Sequence, residues 1–85
     1  MPDIRLLFNN AAVDARGLKT RPSDDDLLTL YALYQQATAG DAHGERPGVL
    51  DLVDTAKYDA WEKLKGMSTA EAMQKYIAKV RALNA

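Results

Sequence analysis

Cysteine is absent from the 85 residues, and with it go disulfide staples, a thiolate nucleophile and cysteine-ligated zinc. One histidine, His43, stands among glycines and beside no serine motif, which leaves little for imidazole or hydroxyl chemistry. Long apolar runs are missing as well. The longest near the amino end is Leu6, Leu7 and Phe8, so no signal peptide is expected and nothing reaches transmembrane length. Arg5, Arg16 and Arg21 hint at a mitochondrial presequence, but Asp3 and Asp14 oppose one and the segment is needed for the core. Charge of one sign is not in excess. Eleven basic against twelve acidic residues leave −1, with no global field for nucleic acid or a stably bound anionic membrane, so any anion site must be local. No glycine loop of the phosphate-cradling kind precedes a helix, and there is no strand-like alternation, repeat or low-complexity segment. The absences point to one small soluble, cytoplasmic, helical domain over residues 1–85, with a modest core and no catalytic machinery.

The richest segment is LYALYQQATAGD, Leu30 to Asp41, which sets two tyrosines one helical turn apart and stops at Gly40. Wound at about 100° per residue from Leu27, its large and apolar side chains cover an arc of roughly 220°, about twice what one core requires. One edge, around Leu30, Leu33 and Ala37, is expected to face the protein's own core. The other, around Leu28, Tyr31 and Gln35, is expected to meet a ligand or another helix. Ser23 with Asp26 three residues on opens this second helix as a capping box. Asp24, Asp25 and Asp26 suit a first turn better than a metal, since carboxylates complement the helix dipole and no further ligand set is evident.

Ahead of it, Ile4, Phe8, Ala11, Ala12 and Ala15 recur at helical spacing, and Gly17 is expected to end that first helix in the left-handed conformation. After it, Gly40 to Leu50 reads as a loop, with Pro47 and Gly48 suited to the centres of a type II turn. About eleven extended residues span up to roughly 36 Å, against some 24 Å for a helix of about sixteen, so the second and third helices can lie parallel. A third helix is expected from Asp51 to Lys65, with Ala56, Tyr58, Trp61 and Leu64 inward and Gly66 at its end. Ser68 and Glu71 cap a fourth, whose inner stripe is Met73, Ile77 and Val80 with Tyr76 beside it, and whose Lys75, Lys79 and Arg81 favour the carboxyl end. The result is an all-α, mainly antiparallel bundle of four helices.

Aromatics interleaved with cations (Tyr31, Tyr34, Tyr58, Trp61 and Tyr76 with Arg16, Arg21, Lys57 and Lys65) can stack a planar base and neutralise phosphate, although aromatics at helical spacing also build cores. At these residues the chain resembles the acyl-CoA-binding protein family. LYALYQQATAGD, ERPG with Asp51, AKYDAWEKLKGMS and EAMQKYIAKV follow its motifs in order and separation, and Phe8, Ala11 and Ala12 match its first helix. The resemblance implies an up-down-down-up four-helix bundle. It also implies a non-catalytic protein without cofactor that binds, buffers and carries medium- to long-chain fatty acyl-CoA thioesters, touching membranes or acyl-CoA-using enzymes only transiently; the apolar faces, enough for one small core and one groove, lead to the expectation of a monomer. Carried over by position, Tyr31, Tyr34 and Tyr76 would pack around adenine and ribose or bond the phosphates. Lys57 would meet the ribose 3'-phosphate, Arg16 and Arg21 would stand near phosphates, and Ala12, Leu27 and Leu28 would line the acyl groove. Trp61 looks like a core anchor. Gln35 and Val53 stand where the family usually has lysines and Tyr58 where it has tryptophan, so two head-group cations are lost. The alternative of another class is a helical adaptor that recognises a protein through the same aromatic edge; an acyl-CoA hydrolase would lack a nucleophile.

Overall fold

A computed structural model describes residues 3–85, and among them the chain forms four α-helices and no strand. They are α1 (Ile4–Arg16), α2 (Asp24–Ala39), α3 (Leu52–Glu62) and α4 (Thr69–Leu83). Side-chain caps start three of them. Asp3 Oδ1 accepts from the Arg5 N–H at 2.9 Å, Ser23 Oγ from Asp26 at 3.1 Å and Ser68 Oγ from Glu71 at 3.0 Å, each satisfying a donor that the first turn leaves free.

Three local expectations change. Gly17 has φ −104°, outside the left-handed region, because α1 closes with a tight bond from the Gly17 N–H to Asp14 O at 3.0 Å that needs no positive φ. The turn expected at Pro47 and Gly48 forms two residues later. Gly48 O accepts from Asp51 N–H at 3.0 Å and from Thr55 Oγ1 at 3.1 Å, which puts Val49 and Leu50 at the turn's centre and gives Gly48 no positive φ. Finally, α3 ends at Glu62 instead of Lys65, and Trp61 to Gly66 winds on in tight three-residue turns. Asp41 takes the Gly66 N–H at 2.8 Å, drawing the chain out of the helix, and Gly66 reverses it with φ 92°.

Helix directions follow from the contacts. Lys79, late in α4, pairs with Asp26, early in α2, at 2.6 Å, while Gln36, late in α2, donates to Met67 O just before α4, at 2.9 Å; α2 and α4 are therefore antiparallel. Trp61 Nε1, at the end of α3, donates to Gly40 O, at the end of α2, at 2.8 Å, and Lys57 lies beside Tyr31, so α2 and α3 run parallel, as the long loop permits. The bundle has the up-down-down-up order. The spatial order is α1, α4, α2, α3, in a slab 42 × 29 × 15 Å, and α1 and α3 do not meet.

Phe8 and Ala11 of α1, Leu30, Leu33 and Ala37 of α2, and Ala72, Tyr76, Ile77 and Val80 of α4 form the core. Burial of each large side chain contributes about 1.5–3 kcal/mol. Of α3's four expected inward residues only Trp61 is buried; Ala56, Tyr58 and the following Leu64 are half-buried, because α3 packs on α2 alone. Its loop is tied down at the far end, where the Arg46 guanidinium forks onto Asp59 at 2.8 and 2.9 Å and Tyr58 Oη donates to Gly44 O at 3.3 Å.

Candidate functional site

Since α1 sits on α4 and α3 on α2, one face of α2 is left as the floor of a dish between two walls that do not meet. Tyr31, Tyr34 and Gln35 occupy that floor. Tyr31 and Gln35 are half-buried and Tyr34 is 42% exposed, so the edge that the sequence left free is the accessible one, whereas Leu30, Leu33 and Ala37 are buried. The residues gather in two groups one helical turn apart.

The first lies between α2 and α3. Lys57 Nζ stands over the Tyr31 ring, 5.3 Å from its centroid, an attraction of cation and ring quadrupole that leaves ammonium protons free for another acceptor. Beside it opens a cavity of about 420 Å³ with an apolar lining from Leu27, Leu28, Leu52, Val53 and Ala56, with Arg21 and Lys57 at its border. Arg21 donates to Asp24 at 3.3 Å, but both side chains are exposed, so the pair is loose and the guanidinium can turn to a stronger anion.

The second group lies between α1, α2 and α4. The Phe8 ring stacks on Tyr34 at 5.4 Å and meets Tyr76 edge-on at 5.1 Å, and Tyr34 meets Tyr76 edge-on at 5.9 Å. The Tyr76 ring is buried, so only its hydroxyl can be offered to a ligand. Burial, and then Tyr34, push that hydroxyl above its ordinary pKa, with nearby Arg16 pulling the other way; it is a neutral donor at physiological pH. Ala12 is half-buried against the core at the foot of the α1 wall, and Arg16 is exposed at that helix's end. Cations on both sides of a tyrosine floor, next to an apolar cavity, suit a ligand with a planar aromatic part, anionic groups and a hydrocarbon tail.

A larger cavity, about 480 Å³, lies between α2 and the α3–α4 connection, lined by Ala32, Leu33, Leu64, Met67 and Lys75. Of the anticipated residues only Leu28 reaches it, and it has no aromatic floor. The residue that sequence reasoning missed is Gln36. It is fully buried, and its Nε2 donates to Asp41 Oδ1 at 2.8 Å and to Met67 O at 2.9 Å, joining the end of α2 to its following loop and to the start of α4. Its signal was its place on the core edge, three residues after Leu33 and beside Ala37. The Gly66 N–H, then Gln36, hold the Asp41 carboxyl below its ordinary pKa. His43 is away from the dish, edge-on to Trp61 at 5.3 Å. Among the described residues no group of three or more His, Cys, Asp or Glu could hold a metal ion.

The sequence and the fold have relatives among known proteins. The family model "Acyl CoA binding protein" matches residues 6–80. The acyl-CoA-binding protein homolog of Manduca sexta is 56% identical over 77 residues, 89% of this chain and 86% of that protein, and its Drosophila melanogaster counterpart is 50% identical over 76 residues, 89% and 88%. The crystal structure of Oryza sativa acyl-CoA-binding protein 2 superposes with a TM-score of 0.91 at 42% identity, covering 95% of this chain and 90% of that one. With the family's extent, two relatives at half identity or more and the fold in agreement, the chain belongs to the acyl-CoA-binding protein family.

Proposed function

We propose that the dish binds medium- to long-chain fatty acyl-CoA thioesters without chemical change, buffering them and carrying them through the cytoplasm as a monomeric single domain. The observation that carries this reading is the adjacency of unlike halves. The Lys57 ammonium over the Tyr31 ring suits a phosphorylated nucleoside, and the apolar cavity beside it suits an acyl chain. In this reading Tyr31 and Tyr34 pack against adenine and ribose, the Tyr76 hydroxyl and Arg16 meet phosphate oxygens, and Lys57 and Arg21 neutralise the remaining charge. Leu27 and Leu28 line the chain's path, with Ala12 at the dish wall. Gln35 gives a neutral amide to the head group, and Val53 adds apolar surface where the family usually places a cation.

Neither half suffices alone. Calorimetry with palmitoyl-CoA, free CoA and palmitate should find the thioester bound far more tightly than either fragment, and equal affinity for palmitate and palmitoyl-CoA would defeat the head-group site. Affinity should rise with chain length by up to about 0.8 kcal/mol, roughly fourfold, per buried methylene, and level off where the cavity ends. A flat series would leave the chain in water and Leu27 and Leu28 without their role.

A further inference from the structure

The cavity beside the tyrosine floor, about 420 Å³, and the larger one, about 480 Å³, share a wall. Among the described residues Leu28 alone lines both. Leu27 lines only the first and Thr29 only the second, and at about 100° per residue the Leu28 side chain points midway between them. On the opposite side α3 contributes Ala56 to the first lining and Ala60, one turn on, to the second. Both alanines are half-buried on a helix that packs on α2 alone, so the bulk at the boundary between the cavities comes from Leu28.

The larger cavity would suit hydrocarbon and not a head group. Ala32, Leu33, Leu64 and Met67 give it apolar walls, and no aromatic side chain lines it. A chain that enters from the tyrosine side meets Leu28 before it meets any of these walls. We propose that Leu28 is the stop that ends the acyl path, and so fixes the longest chain whose every methylene is buried. This rests on the acyl-CoA reading of the dish. Methylenes beyond the stop turn out to water and add nothing to affinity. Without the leucine side chain the two cavities join, and the end of a long chain runs on between Ala32 and Ala60. Leu28 then selects for chain length while Leu27, which lines the first cavity only, supplies contact without selection.

The test is a calorimetric series of saturated thioesters from decanoyl-CoA to docosanoyl-CoA, each kept below its micelle concentration. In the unaltered chain affinity should climb by up to about fourfold per methylene and then level off. In Leu28→Ala the levelling should come about two methylenes later, so that the longest thioesters gain about tenfold over the ligand at which the unaltered chain levels. Leu27→Ala should weaken the longer thioesters alike and leave the levelling point where it was. Ala60→Leu lies beyond the stop. It should leave the unaltered series as it is, and in Leu28→Ala it should bring the levelling point back toward its original place. Leu28→Val, a smaller truncation, should displace that point less, and it replaces Leu28→Ala if the alanine variant does not fold. A levelling point that stays put in the folded Leu28 variant overturns the proposal. So does a loss of long-chain affinity in Ala60→Leu alone, because the chain would then already occupy the larger cavity. A series that is flat in the unaltered chain removes the acyl-CoA reading and the stop with it, whereas a series that rises and levels at one length in every variant removes the stop alone.

Discussion

The two edges of α2 are built to opposite specifications. Toward α4, Leu30, Leu33, Gln36 and Ala37 are all buried, and the interface is pinned at both ends by Asp26 with Lys79 and by Gln36 with Met67 O. Toward α3, Leu27, Leu28, Tyr31 and Gln35 are only half-covered, and cavities open beside them. One edge spends its apolar surface on folding; the other withholds it. A small domain can do this only if the sealed edge is well packed, because net stability is a few kcal/mol left from much larger opposing terms.

Neighbouring residues make the contrast testable. Leu30→Ala empties the sealed edge and should cost about 2–5 kcal/mol of stability in a denaturant melt, while the fraction still folded binds ligand with little change. Tyr31→Ala should do the reverse: a small stability loss, and about 1–3 kcal/mol lost from acyl-CoA affinity through packing that salt scarcely affects. Lys57→Ala should also weaken binding, with a loss that shrinks as ionic strength rises. If both Leu30→Ala and Tyr31→Ala reduced stability and affinity in the same ratio, the two edges would not be separate. A smaller effect sharpens the contrast by adding to the open edge. Gln35→Lys replaces a neutral donor with a charged one on the face shared with Tyr31, and should tighten binding of acyl-CoA and of free CoA by about 1 kcal/mol, near fivefold, at low salt.

Which edge would be sealed was legible in the sequence. The arc beginning at Leu27 was too wide for one core, and its two expected halves became the buried and half-buried sides of α2. The parallel placement of α2 and α3 followed from the reach of the loop. Details set by distant partners were not legible. The end of α3 depends on Asp41 capturing the Gly66 N–H, and the turn at Gly48 on Thr55, residues far enough away that no local turn rule includes them. Gln36 escaped because a polar residue in an apolar stripe reads as tolerated until its partners, Asp41 and Met67 O, are known. The residues proposed to bind ligand came from the motif resemblance; periodicity supplied the face on which they stand and not their roles.

The weakest expected effect concerns acid. Lys79, through its hydrogen bond, holds the Asp26 carboxyl below its ordinary pKa; the Gly66 N–H, then Gln36, do the same for Asp41, and Arg46 for Asp59. A carboxyl with a depressed folded pKa adds stability in full above the unfolded value, about 3.9, and loses it as pH falls through the folded value. Melting temperature should therefore hold at neutral pH and decline below about pH 4, less steeply in Asp26→Asn than in the unaltered chain. An Asp26→Asn profile parallel to the original would remove Asp26 from the account.

The central claim is that the dish floored by the open edge of α2, and not the larger cavity, takes the acyl-CoA. Amide spectra of the labelled protein with and without one equivalent of palmitoyl-CoA test it residue by residue. Shifts should concentrate at Arg21, Leu28, Tyr31, Gln35, Val53 and Lys57, with Leu30, Gln36 and Val80 changing least. Shifts centred instead on Ala32, Lys63, Leu64 and Met67 would place the ligand in the larger cavity and contradict the account.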